Sequence, residues 1–229
     1  MTPLPDPRLL VITDRKQAGR SLEDVAAAVF AGGCRWLSLR EKDMGAAERT
    51  SLLYRLVALG EHWHAAVSVH DDVSAALATG AAGIHLSRGG SVAEMRKYLG
   101  AGRLIGISAH DMAEVERAAT QGADYVTISP IFPSVSKPDY GPPLGLDAIS
   151  EMARRVTIPI VALGGIDETK ATNCIAMGAA AVAVMGAAMR ATDPEAVTQR
   201  LVKSVADALV DGPAPEDSRS RPMSAPPKI

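Results

Sequence analysis

Along the chain a short apolar run gives way eight times to an amphipathic stretch, and this alternation limits the fold more than any other feature. The runs fall at Arg8–Asp14, Trp36–Glu41, Ala66–Asp71, Gly83–Ser87, Leu104–His110, Tyr125–Pro130, Pro159–Gly164 and Ala180–Met185. Between them lie helical patterns such as Ser21–Ala31, Ala46–Trp63, Met112–Gly122 and Glu168–Gly178. A strand that feeds a helix and then another strand implies parallel strands joined by right-handed crossovers. Eight such units in 229 residues fit a closed (β/α)₈ TIM barrel, whose usual length is about 250 residues. An open doubly wound sheet is the rival that periodicity alone leaves standing. The sequence therefore predicts an α/β protein with one barrel domain over 8–210. The segment 211–229 carries five prolines and no hydrophobic period, and reads as a disordered tail.

Glycines near Gly32-Gly33, Gly80, Gly122 and Gly178 each follow a helical pattern and precede a strand. They read as helix C-caps on the stability face of the barrel rather than as chemistry. Ala, Val, Leu and Ile dominate an apolar fraction of 47%, while aromatics supply only 3%. That balance suits helix-on-strand packing and disfavours an aromatic-rich protein-binding surface. With 24 basic and 26 acidic side chains, no overall field gathers nucleic acid or anionic membrane. Cys34 and Cys174 lack the spacing of a metal site or a disulfide framework and read as core residues. Neither a leader-like apolar run in Met1–Pro7 nor a membrane-length apolar segment is present. These features predict a soluble, cytoplasmic protein acting on small molecules; a homo-oligomer is left open.

In a barrel, residues at strand C-termini and in the loops that follow build the active site. Those positions here are polar in nearly every unit, including Thr13-Asp14, His70-Asp71-Asp72, Ser108-Ala109-His110 and Ser134-Val135-Ser136-Lys137. In strand spacing, Ser38, Arg40 and Lys42 share one face toward the barrel interior, and Glu41 takes the other. Two inward cations call for a phosphate or diphosphate ligand, or for an ion pair with Asp14 or Asp71. Asp71 can hold Mg²⁺ beside a diphosphate, whereas Asp72 reads as a helix N-cap. His110 fits either the loop or the substrate. The long loop Phe132–Leu144 holds four prolines and offers Ser134, Ser136 and Lys137 as a lid over a diphosphate. Gly164-Gly165 after strand seven, with Met185 and Gly186 after strand eight, form a second, backbone-built phosphate cup.

Several segments carry a family resemblance: Ser38-Leu39-Arg40-Glu41-Lys42, His70-Asp71-Asp72-Val73, Gly83-Ile84-His85-Leu86, Gly106-Ile107-Ser108-Ala109-His110, Ser129-Pro130-Ile131-Phe132-Pro133 with Ser136-Lys137, and Val161-Ala162-Leu163-Gly164-Gly165-Ile166. Through them, residues 9–210 resemble the thiamine phosphate synthase and TenI thiazole tautomerase family. The resemblance implies condensation of hydroxymethylpyrimidine diphosphate with thiazole phosphate, releasing diphosphate. It assigns Arg40, Lys42, Ser108 and Lys137, with Mg²⁺, to the diphosphate, and Ser134, Ser136 and Gly165 to thiazole phosphate. Three positions depart from the synthase pattern: Ser38 stands for Gln, His70 for Asn, and Gly90 for a second metal aspartate. Asp71 is then the one matching metal carboxylate. The TenI reading would place a catalytic His after a Gly on strand six, where this chain has Ser129-Pro130. His70 is the acid–base candidate for that alternative. A non-catalytic barrel that binds thiazole phosphate or thiamine phosphate is the third reading.

Overall fold

The computed structural model describes residues 2–134 and 142–212. Ser136 and Lys137, and the tail from residue 213 onward, lie outside the described residues. Eight strands form in the predicted places: β1 (Leu9–Ile12), β2 (Trp36–Leu39), β3 (Ala66–His70), β4 (Gly83–Leu86), β5 (Leu104–Ala109), β6 (Tyr125–Ile128), β7 (Ile160–Leu163) and β8 (Ala181–Val184). They run parallel in chain order, and β1 pairs with β8, so the sheet closes. The open-sheet rival is thereby excluded. The crossovers are α1 (Leu22–Ala31), α2 (Ala46–His62), α3 (Val73–Thr79), α4 (Val92–Leu99), α5 (Met112–Thr120), α6 (Leu146–Arg155) and α7 (Glu168–Ala176). A four-residue α8 (Gly186–Met189) follows β8, and α9 (Pro194–Asp211) completes the outer ring. Among the described residues, no helix is long and apolar enough to cross a membrane.

Alternation within each strand builds two apolar layers. Leu37 and Leu39 point outward into the layer beneath the helices, together with Val67, Val69, Ile105 and Ile107. Leu10, Ile12, Trp36, Leu104, Tyr125 and Val161 point inward and fill the barrel's lower half. Leu4, 6% exposed, packs beneath them and seals the floor. Both cysteines are buried, and burial pushes each thiol up to about 12, so neither is a nucleophile at neutral pH.

At the rim, side-chain caps fix where several helices start. Asp72 accepts the Ala75 N–H at 2.9 Å, Asp111 the Glu114 N–H at 2.8 Å and Asp167 the Lys170 N–H at 3.0 Å. Asp72 is therefore the N-cap that its position predicts. At the opposite end Gly80 closes α3 in the left-handed conformation, φ 73°. The strands stop one or two residues short of the apolar runs, and the residues left over turn across the rim.

Candidate active site

Above the apolar plug the barrel interior turns polar. Ser38 is fully buried, and Ser68 donates to its Oγ at 2.9 Å. It therefore lies one layer below the mouth and does not line the main cavity, unlike the Arg40 and Lys42 with which it shares a face. That cavity, of about 290 Å³, opens at the C-terminal ends of the strands. Arg40, Lys42, His70, Ser108, Ser134, Gly164 and Met185 all line it, so most of the predicted residues meet in one place. His110 lines it as well; its Nδ1–H donates to the Ser129 carbonyl at 2.6 Å and its backbone N–H to Glu114 at 2.8 Å.

The cavity's charge is one-sided. Arg40, Lys42 and Arg88 line it, and among the described residues no carboxylate does. Sequence reasoning missed Arg88, which in a Ser-Arg-Gly-Gly turn looks like an ordinary surface residue. Its guanidinium is paired with Glu114, which is only 6% exposed. Glu41, between the two predicted cations, turns away: it accepts from Thr13 Oγ1 at 2.8 Å and from Arg15 Nη1 at 3.0 Å. The ion-pair alternative for Arg40 and Lys42 is not met by any salt bridge among the described residues. Lys42 instead donates to Ser87 Oγ at 3.0 Å, and Ser87 donates to Asp71 at 2.5 Å.

Asp71 holds a left-handed backbone, φ 53°, which a non-glycine residue adopts only when its surroundings enforce it. The enforcing contacts are the Ser87 N–H on its carboxylate at 2.6 Å and its own N–H on the His85 carbonyl at 3.1 Å. With Glu41, Lys42, Arg49 and His70 it lines a smaller cavity that shares Lys42 and His70 with the main one. Gly90, where a second carboxylate would stand, is closely packed: a Cβ there would lie 2.9 Å from the Leu86 Cβ. Among the described residues no group of three His, Cys, Asp or Glu side chains is arranged to hold a metal. Mg²⁺ commonly binds through one or two carboxylates plus substrate phosphates, so this donor set fits an ion shared with a diphosphate.

The glycine cup adjoins the main cavity. Its lining includes Ser134, Gly164, Gly165, Met185, Gly186 and the cations Lys170 and Arg190, and it shares Ser134, Gly164 and Met185 with the cationic cavity. Gly165 has φ 65°, and a Cβ there would run into the Pro133 carbonyl oxygen. Only glycine lets the two loops approach this closely. Arg190, also missed from sequence, lies across Gly186 and hydrogen-bonds Gln17.

The barrel and its rim thus define a class, a (β/α)₈ enzyme with one cation-lined cleft at the C-terminal ends of its strands. Residues 9–188 match the family model described as thiamine monophosphate synthase, and the chain belongs to that family. It is similar to the thiamine-phosphate synthase of Roseiflexus sp., at 39% identity over 213 residues and 90% of each chain. The thiamine-phosphate synthase of Methanoculleus marisnigri is 36% identical over 206 residues, covering 89% of this chain and 98% of that one. Among solved structures, the thiamine phosphate pyrophosphorylase from Pyrococcus furiosus superposes with a TM-score of 0.80 at 28% identity, covering 88% of this chain and 96% of that one.

Proposed function

We propose that the chain is a thiamine phosphate synthase of the cytoplasm, which joins hydroxymethylpyrimidine diphosphate to thiazole phosphate and releases diphosphate. The observation that carries this reading is the pair of adjoining cavities in one cleft. One is lined by Arg40, Lys42 and Arg88 with no carboxylate among the described residues; the other is lined by Gly164, Gly165 and Gly186, with Lys170, Arg190 and Asp167 around them. Two substrates that each bear phosphate need two such sites, placed so that their reacting atoms meet between them.

In this reading the bond from the pyrimidine methylene carbon to the diphosphate oxygen breaks, and the thiazole nitrogen bonds to that carbon. Negative charge gathers on the departing diphosphate. Arg40, Lys42 and Arg88 neutralise it, and the Ser108 hydroxyl donates to it. Lys137, by the family resemblance, adds a fourth cation. Mg²⁺ shared between Asp71 and the diphosphate would supply further charge neutralisation when bound. Gly164, Gly165, Met185 and Gly186, with Ser134 and Ser136, seat the thiazole phosphate so that its nitrogen faces the methylene carbon. The two thiols take no part.

One observation favours a second reading, thiazole tautomerisation: His70, His85 and His110 all line the cavity, and imidazole suits proton transfer near neutrality. The experiment that separates the readings is incubation of the purified protein with both substrates and Mg²⁺, following thiamine phosphate by chromatography. Product that Lys42→Ala abolishes supports the synthase. Isomerisation of a thiazole tautomer with no thiamine phosphate, lost in His70→Asn, would replace it, and binding of thiazole phosphate without either conversion would leave a non-catalytic barrel.

A further inference from the structure

Beneath Ser108 runs a buried hydrogen-bond string that the proposed chemistry does not yet use. Tyr125 Oη lies 3.1 Å from His85 Nδ1, and His85 Nε2 lies 3.0 Å from Ser108 Oγ, with Thr127 Oγ1 at 3.3 Å. His85 and Tyr125 are each 1% exposed. Neighbours fix the phenol in place. Its ring lies over Gly106, where any Cβ would collide with it, and Trp36 meets it edge to face at 4.9 Å between centroids. On the mouth side, His70 packs against the His85 ring at 4.6 Å.

The donors along this string can be assigned. Burial pushes the Tyr125 phenol upward, so it keeps its proton, and His85 Nδ1 is the acceptor within reach among the described residues. Were Nδ1 to carry the hydrogen, the phenolic proton would be buried with no acceptor, a costly arrangement. With Nδ1 accepting the phenolic hydrogen, the ring carries its one hydrogen on Nε2. That N–H donates to Ser108 Oγ. With one of its lone pairs taken from below, Ser108 turns its own proton to the cavity it lines.

We propose that His85, held by Tyr125 in the tautomer with hydrogen on Nε2, is a positioning residue that presets Ser108 as a hydrogen-bond donor to the leaving diphosphate. The donor then needs no reorientation as charge develops. This role rests on the synthase reading, but its structural half can be tested without it.

Long-range nitrogen–proton NMR on histidine-labelled protein reads the tautomer directly. The wild-type spectrum is expected to show His85 with a protonated Nε2 and an accepting Nδ1; a protonated Nδ1 overturns the proposal whatever the protein catalyses. In the synthase assay, Tyr125→Phe is expected to lower kcat roughly tenfold, less than the ~100-fold for losing a donor outright. KM for thiazole phosphate should stay within about twofold, because the glycine cup is untouched. Combined with Ser108→Ala, the Tyr125→Phe change should add less than about twofold, since it acts through that hydroxyl. Full additivity of the two changes would overturn the relay while leaving the synthase reading intact. Absence of thiamine phosphate from the wild type would remove the synthase reading, with the tautomer measurement still standing.

Discussion

In the proposed reading, the two ends of the cleft hold anions by different means. At the β2–β5 end the work falls to long side chains, Arg40, Lys42 and Arg88, with buried groups beneath them setting their surroundings. At the β7–β8 end glycine backbone takes the larger share, with Gly164 and Gly165 admitting a close loop approach and Lys170 and Arg190 at the edge. A charge-built site is sensitive to which side chain is removed and to salt. A backbone-built site is sensitive to what is added. A diphosphate leaving group gains charge during the reaction and needs cations; a phosphate that only anchors its substrate does not.

That contrast can be broken by substitution. The largest effect is expected for Arg40→Ala and Lys42→Ala, each lowering kcat/KM on the order of 100-fold or more, as for other losses of charge stabilisation at a developing anion. Steady-state kinetics with each substrate varied should place that loss in kcat and in the diphosphate substrate's KM. At the other end, Gly165→Val should raise KM for thiazole phosphate about tenfold and spare diphosphate affinity, since the new side chain meets the Pro133 carbonyl. If Gly165→Val weakened both substrates equally, the division of labour would be wrong. Arg88→Ala should cost only a few fold and lose even that at high salt, because its side chain is 63% exposed.

The smallest effect concerns stability. His85 sits at about 4 when folded, below its usual 6.5, so the unfolded chain takes up a proton first as pH falls. Its contribution is intact above 6.5 and is lost progressively on going down toward 4. Denaturant titration should show about 1 kcal/mol lost between pH 7 and pH 5.5, a slope absent from His85→Gln.

The barrel was legible because each unit carries its own signals. A β-branched run such as Val67-Ser68-Val69 is followed by an Asp or Ser cap and later by a glycine, and these repeat around the ring. The rim was legible for the same reason, since polar residues at strand ends have no other place to go. Depth was harder to read. Ser38 shares a face with Arg40, yet two residues along a strand is a full layer, and the serine ends up paired with Ser68 below the cavity. Arg88 and Arg190 were missed because an arginine in a turn or after a short helix looks solvated; only the closed ring brings them to the cleft. His85 and Tyr125 sit inside strands, where alternation marks them as inward but not as partners. Their pairing spans forty residues and depends on Gly106 yielding space between them.

The central claim is that one cleft holds two separable anion sites, and calorimetric titration tests it most directly. Inorganic pyrophosphate and thiazole phosphate would each be titrated into the wild type, Arg40→Ala and Gly165→Val. The account predicts a crossed pattern: Arg40→Ala loses pyrophosphate and keeps thiazole phosphate, and Gly165→Val does the reverse. Loss of both ligands in either folded variant, or pyrophosphate binding that depends on Gly165 and ignores Arg40, would contradict it.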